Sequence, residues 1–102
     1  MLLNLWLALA LGGSSEPTAV RWISPADYPA ALMAEGKEGV VDFRLTFNAD
    51  GRVTACAIHQ SSGVTLLDVI TCRISARRAR ANEGQPRVQH FRHSWKVPAA
   101  RD

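Results

Sequence analysis

Cysteine is scarce in this chain: Cys56 and Cys72 are the only two among 102 residues. They form no Cys-x-x-Cys and have no strand-helix-strand signature around them, which excludes a thioredoxin-type redox pair. Histidine is nearly as scarce, with His59, His90 and His93. His90 and His93 lie three apart on a stretch that reads as strand, so their side chains leave on opposite faces. No carboxylate cluster joins them, and no metal is expected. Nowhere does the chain reach the ~20 apolar residues that span a bilayer as a helix. Ser61-Ser62-Gly63 lacks a nucleophile elbow, and no Ser, His and Asp fall in an order that makes a triad. The expectation is a protein that is not an enzyme and uses no cofactor. With 7 Gly and 5 Pro, the chain is neither collagenous nor of low complexity. Its 102 residues and 11.1 kDa hold one domain and exclude a dinucleotide fold or a TIM barrel.

What is present is ordinary globular composition, 47% hydrophobic and 21% charged. The net charge of +3 is unevenly spread. Residues 1–72 carry four basic and seven acidic side chains, whereas residues 73–102 carry eight basic and two acidic. Arg73, Arg77, Arg78, Arg80 and Arg87 form a basic surface candidate. Such a surface meets phosphates, acidic lipid head groups or an acidic protein, and more often is only a solvated helix face.

Leu2 to Leu11 is apolar apart from Asn4, and Gly12-Gly13-Ser14-Ser15 follows. That run has the length of a secretory signal's apolar core, and Ala8-Leu9-Ala10 supplies small residues at cleavage-type spacing. Residues 1–15 therefore read as a signal peptide or short apolar leader, with the domain over 16–102. Export to the periplasm follows, and a retained leader would hold the chain at the inner membrane.

After the turn-rich stretch Ser24 to Pro29, Ala30 to Glu35 reads as a helix with Pro29 at its first position and Gly36 or Gly39 as its stop. Val41, Phe43, Leu45 and Phe47 alternate with Asp42, Arg44 and Thr46, the period of a half-buried strand. Asn48-Ala49-Asp50-Gly51 predicts a hairpin turn, with a return strand over Arg52 to His59. Leu67, Ile70, Thr71 and Ile74 recur at helical spacing in a helix from about Leu66 to Arg80, with Thr65 or Ser62 as cap. Val88 to Val97 alternates again. Trp22, Trp95, Phe43, Phe47 and Phe91 are expected in core and rim.

Tyr28-Pro29-Ala30-Ala31, Gly39-Val40-Val41, Asn48-Ala49-Asp50-Gly51-Arg52-Val53-Thr54, Ser61-Ser62-Gly63 and Leu66-Leu67-Asp68 occur here in one order. That series resembles the TonB C-terminal domain family over residues 24–98. The resemblance implies an exported α+β domain, two helices packed on a three-stranded antiparallel sheet in the order α-β-β-α-β. It also implies pairing of the last strand with a short segment of an outer-membrane TonB-dependent receptor, by β-augmentation, in energy-dependent transmembrane transport. Mapped onto this sequence, the partner-binding edge is His90, Phe91, Arg92, His93, Ser94, Trp95, Lys96 and Val97. His90, Arg92, Ser94 and Lys96 would form its wet face over buried Phe91, Trp95 and Val97. By composition alone, a strand bearing Arg92 and Lys96 fits defence against pairing equally well.

Two departures from the family stand out. Its Arg-Phe-x-Pro pattern after the second helix is replaced by Arg80-Ala81-Asn82-Glu83-Gly84. Its energy transducers also carry a membrane anchor and a long Pro-rich spacer, whereas Ser14 to Trp22 reaches only ~30 Å when extended. The expectation is a stand-alone relative that does not perform the whole coupling cycle.

In the implied fold, Cys56 lies on a strand and Cys72 on the helix packed against it. Export and an even cysteine count then favour a disulfide, and some exported TonB-like domains carry a similar pair. Without export, the alternative is two small buried thiols. For the basic third, an anionic envelope component such as peptidoglycan or lipid is the alternative partner. Export counts against nucleic acid, which is not expected.

Overall fold

A computed structural model describes residues 16–98; the expected leader, 1–15, lies outside the described residues. The chain runs β1 (Thr18–Ala19), a 3-10 turn (Pro25–Asp27), α1 (Ala30–Ala34), β2 (Gly39–Phe47), β3 (Val53–Gln60), α2 (Thr65–Arg78) and β4 (Val88–Trp95). The α+β class and the order α-β-β-α-β hold, with one addition. The sheet has four strands in the order β1-β4-β2-β3, because a two-residue strand ahead of the expected elements runs parallel to β4. Two residues are too short for any periodicity to register, so nothing in the sequence marks β1.

The hairpin forms where Asn48 to Gly51 requires it. Asn48 Oδ1 accepts from the Asp50 and Arg52 N–H groups, and Gly51 takes a φ of +82°. That conformation favours glycine. Space demands it as well, since a Cβ on Gly51 would lie 2.3 Å from the Ala81 carbonyl oxygen. At the other end of β2, a Cβ on Gly39 would lie 2.3 Å from the Ser62 carbonyl oxygen, so this strand begins only because Gly39 has no side chain.

Val41, Phe43, Leu45 and Phe47 are all buried, as their alternation dictates. They meet Leu67, Thr71, Ile74 and Ser75, one stripe of α2. Ile70, expected on that stripe, is half-buried at its margin. The two fully buried hydroxyls are satisfied. Thr71 Oγ1 accepts from Trp95 Nε1 at 2.9 Å and donates to the Leu67 carbonyl at 2.7 Å, while Ser75 Oγ accepts from Trp22 Nε1 at 2.8 Å. A buried indole or hydroxyl without a partner would cost ~1–3 kcal/mol, so these contacts hold both tryptophans in register with α2.

Two expected caps are replaced. Pro29 precedes α1 as its N-cap, and Val64 takes that place for α2 with no side-chain cap. Asp68, one turn into α2, reaches back instead to accept from the Ser62 N–H and from the Ser61 and Ser62 hydroxyls. Burial pushes the Asp68 carboxyl up, but these three donors outweigh it and leave it below its ordinary value. Cys56 on β3 and Cys72 on α2 are joined as a disulfide with Cα atoms 5.7 Å apart, tying helix to sheet.

The candidate partner-binding edge

β4 is paired along its inner side with β2 in antiparallel register, from Gly39 opposite Trp95 to Thr46 opposite Val88. Its outer side meets only β1, through Thr18 opposite Phe91 and Ala19 opposite Arg92. One further bond follows, from the Val20 N–H to the Arg92 carbonyl at 3.3 Å. In an extended strand the N–H and C=O of one residue point to the same side, so Arg92, and by alternation His90 and Ser94, turn their main chain outward. Beyond Arg92 no strand covers that side among the described residues. The outer side of β4 is thus covered at its middle by β1 and left without a strand beyond it among the described residues. The strand also ends at Trp95, two residues early: Val97 lies beyond it, and its N–H donates to Glu38 Oε2 at 2.8 Å.

Side chains on β4 sort by face. Phe91 and Trp95 are buried, Phe91 edge-on to Trp22 and Trp95 edge-on to Tyr28. His93 lies half-buried on the same side, edge-on to Trp95, and burial pushes its imidazole below the ordinary value. On the opposite face the expected wet row is less free than its alternation implies. Arg92 makes a bidentate pair with Asp42, Nε to Oδ1 at 2.7 Å and Nη2 to Oδ2 at 3.0 Å. Hydrogen bonding to Arg92 holds the Asp42 carboxyl below the usual carboxylate range. His90 is half-buried, its ring centroid 5.4 Å from that of His59 across β2. Ser94 and Lys96 are exposed as expected.

His90 and His93 do lie on opposite faces, so the pair brought together is His59 with His90. Among the described residues no group of three or more His, Cys, Asp or Glu is placed to hold a metal ion. The basic candidates separate too. Arg78 is committed to Asp27 in a bidentate pair of 2.9 and 3.1 Å, and Nη1 also donates to the Trp22 carbonyl. Hydrogen bonding from Arg78 leads the causes that lower Asp27 to about 2. Arg80 donates to the Arg77 and Ala79 carbonyls where α2 ends. Arg73, Arg77 and Arg87 remain exposed. Sequence reasoning missed Asp42 and Asp27 as ion-pair partners. Asp42 on the polar phase of a strand carried the only available signal, a charge where the neighbouring strand has Arg92.

Order, packing and the partly uncovered outer side of β4 define a small α+β domain whose four-stranded sheet is bounded by β3 on one side and by the short β1 beside β4 on the other. Gram-negative bacterial TonB protein C-terminal domains match residues 24–98 as a family. The chain belongs to that family. The solution NMR structure of the Pseudomonas aeruginosa TonB CTD is similar at a TM-score of 0.61 and 24% identity, covering 80% of this chain and 87% of that one. At that identity the likeness concerns the fold. Among curated proteins none matches.

Proposed function

We propose that this domain is a TonB-like protein-binding module of the cell envelope that adds a segment of an outer-membrane receptor to the outer side of β4. The observation that carries this reading is the main chain of Ser94, outward-facing by register and covered by no strand among the described residues. Pairing to it is β-augmentation, in which main-chain bonds supply affinity and neighbouring side chains supply selectivity. Family membership supports the kind of partner. A periplasmic location and a role in energy-dependent transport belong to the same reading. The alternative, a basic surface for an envelope polyanion, is weakened by the commitment of Arg78 to Asp27 and of Arg80 to backbone carbonyls.

The test is titration of peptides copying the N-terminal periplasmic segments of outer-membrane receptors against the folded domain. Ser94→Pro deletes an outward N–H while leaving the β2 ladder intact, so it should abolish binding where strand pairing operates. Arg77→Glu should matter little. If Arg77→Glu and added salt abolish binding while Ser94→Pro does not, the polyanion reading replaces this one.

A further inference from the structure

The outer side of β4 already holds a strand, and that strand is built to be short. β1 pairs with β4 over two residues only, Thr18 opposite Phe91 and Ala19 opposite Arg92. Thr18 and Ala19 are exposed and bury little apolar surface, and the Val20 bond of 3.3 Å lies beyond the usual N–H···O range. Downstream the chain bends at Arg21 and Trp22. From Trp22 onward it is fastened firmly. The indole bonds Ser75, the Trp22 carbonyl accepts from Arg78, Asp27 pairs with Arg78, and Ile23 and Tyr28 are buried. A weakly held strand thus adjoins a strongly held strap, with the break between Val20 and Trp22. Of residues 17–20 only the half-buried Val20 packs against the core, so their leaving the sheet costs that marginal contact and the bonds to β4 while every buried core residue stays in place.

We propose that residues 17–20 are a displaceable intramolecular competitor for the outer side of β4. This inference rests on the strand-pairing reading. An incoming segment meets free main chain at Ser94 first, then replaces Thr18 and Ala19 opposite Phe91 and Arg92. A groove lined by Pro17, Ala19, Val20, Arg92, His93 and Ser94, of about 330 Å³, runs from the occupied part of the edge to the free part. It gives the incoming segment a place to start before β1 departs. The consequence is a tax on affinity: a site open only a fraction of the time binds more weakly by that fraction. One long hydrogen bond, a two-residue ladder and the marginal packing of Val20 amount to about a tenfold preference for the closed state.

The experiment uses the full chain, wild type, Val20→Pro and the double variant Thr18→Gly/Ala19→Gly. Val20→Pro deletes the N–H that reaches Arg92. The glycine pair keeps every donor but raises the cost of ordering β1. Two readouts are taken. Amide hydrogen exchange at Arg92, whose outward N–H only β1 covers, should be protected in the wild type and about tenfold faster in both variants. The receptor-segment peptides described above should bind both variants about tenfold more tightly than the wild type. An unprotected Arg92 amide in the wild type overturns the competitor whatever the peptides do. Protection with equal peptide affinity across all three chains also overturns it, while leaving strand pairing intact. Protection lost in the variants, with no peptide bound by any chain, overturns the strand-pairing reading and the competitor's role with it.

Discussion

Removal of the Cys56–Cys72 bond has a magnitude that follows from the fold. The two cysteines are 16 apart in sequence, so the bond closes a loop comprising most of β3, the Ser61 to Val64 turn and the first half of α2. In the chain-entropy model a loop of that length restricts the unfolded state by ~3 kcal/mol. For a domain of this size that corresponds to a fall in Tm of roughly 12–24 °C. Both cysteines are half-buried, so replacing them by alanine leaves no large cavity and adds little to the loss. The assay is thermal unfolding followed by circular dichroism, for the oxidised wild type, the wild type in reductant and Cys56→Ala/Cys72→Ala. Reduced wild type and the double variant should melt together, well below the oxidised protein. Equal melting of oxidised and reduced protein, or two alkylated thiols per folded chain without reductant, would refute the reasoning.

Gly51→Ala should destabilise the domain by at least ~2 kcal/mol, because left-handed backbone costs about 1–2 kcal/mol and the Cβ also meets the Ala81 carbonyl. Urea unfolding measures it, and a change under ~0.5 kcal/mol would contradict the crowding at this turn. Thr71→Val removes the acceptor of the buried Trp95 indole and should cost about 1–3 kcal/mol, with a changed near-ultraviolet tryptophan signal. An unchanged signal and melting temperature would show that the indole has another partner. Asp27 is held at about 2 in the folded chain against its ordinary 3.8. Its contribution is therefore fully present above its unfolded value and is lost as pH falls from there through about 2. Asp27→Asn should flatten the fall of stability in that acid window relative to wild type, as read from urea unfolding at a series of pH values; identical slopes would count against the Arg78 pair.

The amino-acid sequence by itself determined the elements that have a period. Val41, Phe43, Leu45 and Phe47 alternate strictly, Leu67, Thr71 and Ile74 recur at helical spacing, and Asn48 to Gly51 carries turn chemistry that works locally. Class and element order were legible for that reason, since each depends on neighbours in the chain or on the order of strong elements, whereas the Cys56–Cys72 pairing was an expectation from the fold the family resemblance implies and from export. What only the tertiary structure decided are contacts between residues 50 or more positions apart. Asp42 finds Arg92, Asp27 finds Arg78 and Trp22 finds Ser75 once strap, sheet and helix are assembled. A charge or hydroxyl in a sequence shows which bonds it can make but not which partner folding delivers. The outer side of β4 follows the same rule. Its alternation was visible in Val88 to Trp95, but its cover was not, because β1 consists of two residues whose strand character comes wholly from lying beside Phe91 and Arg92.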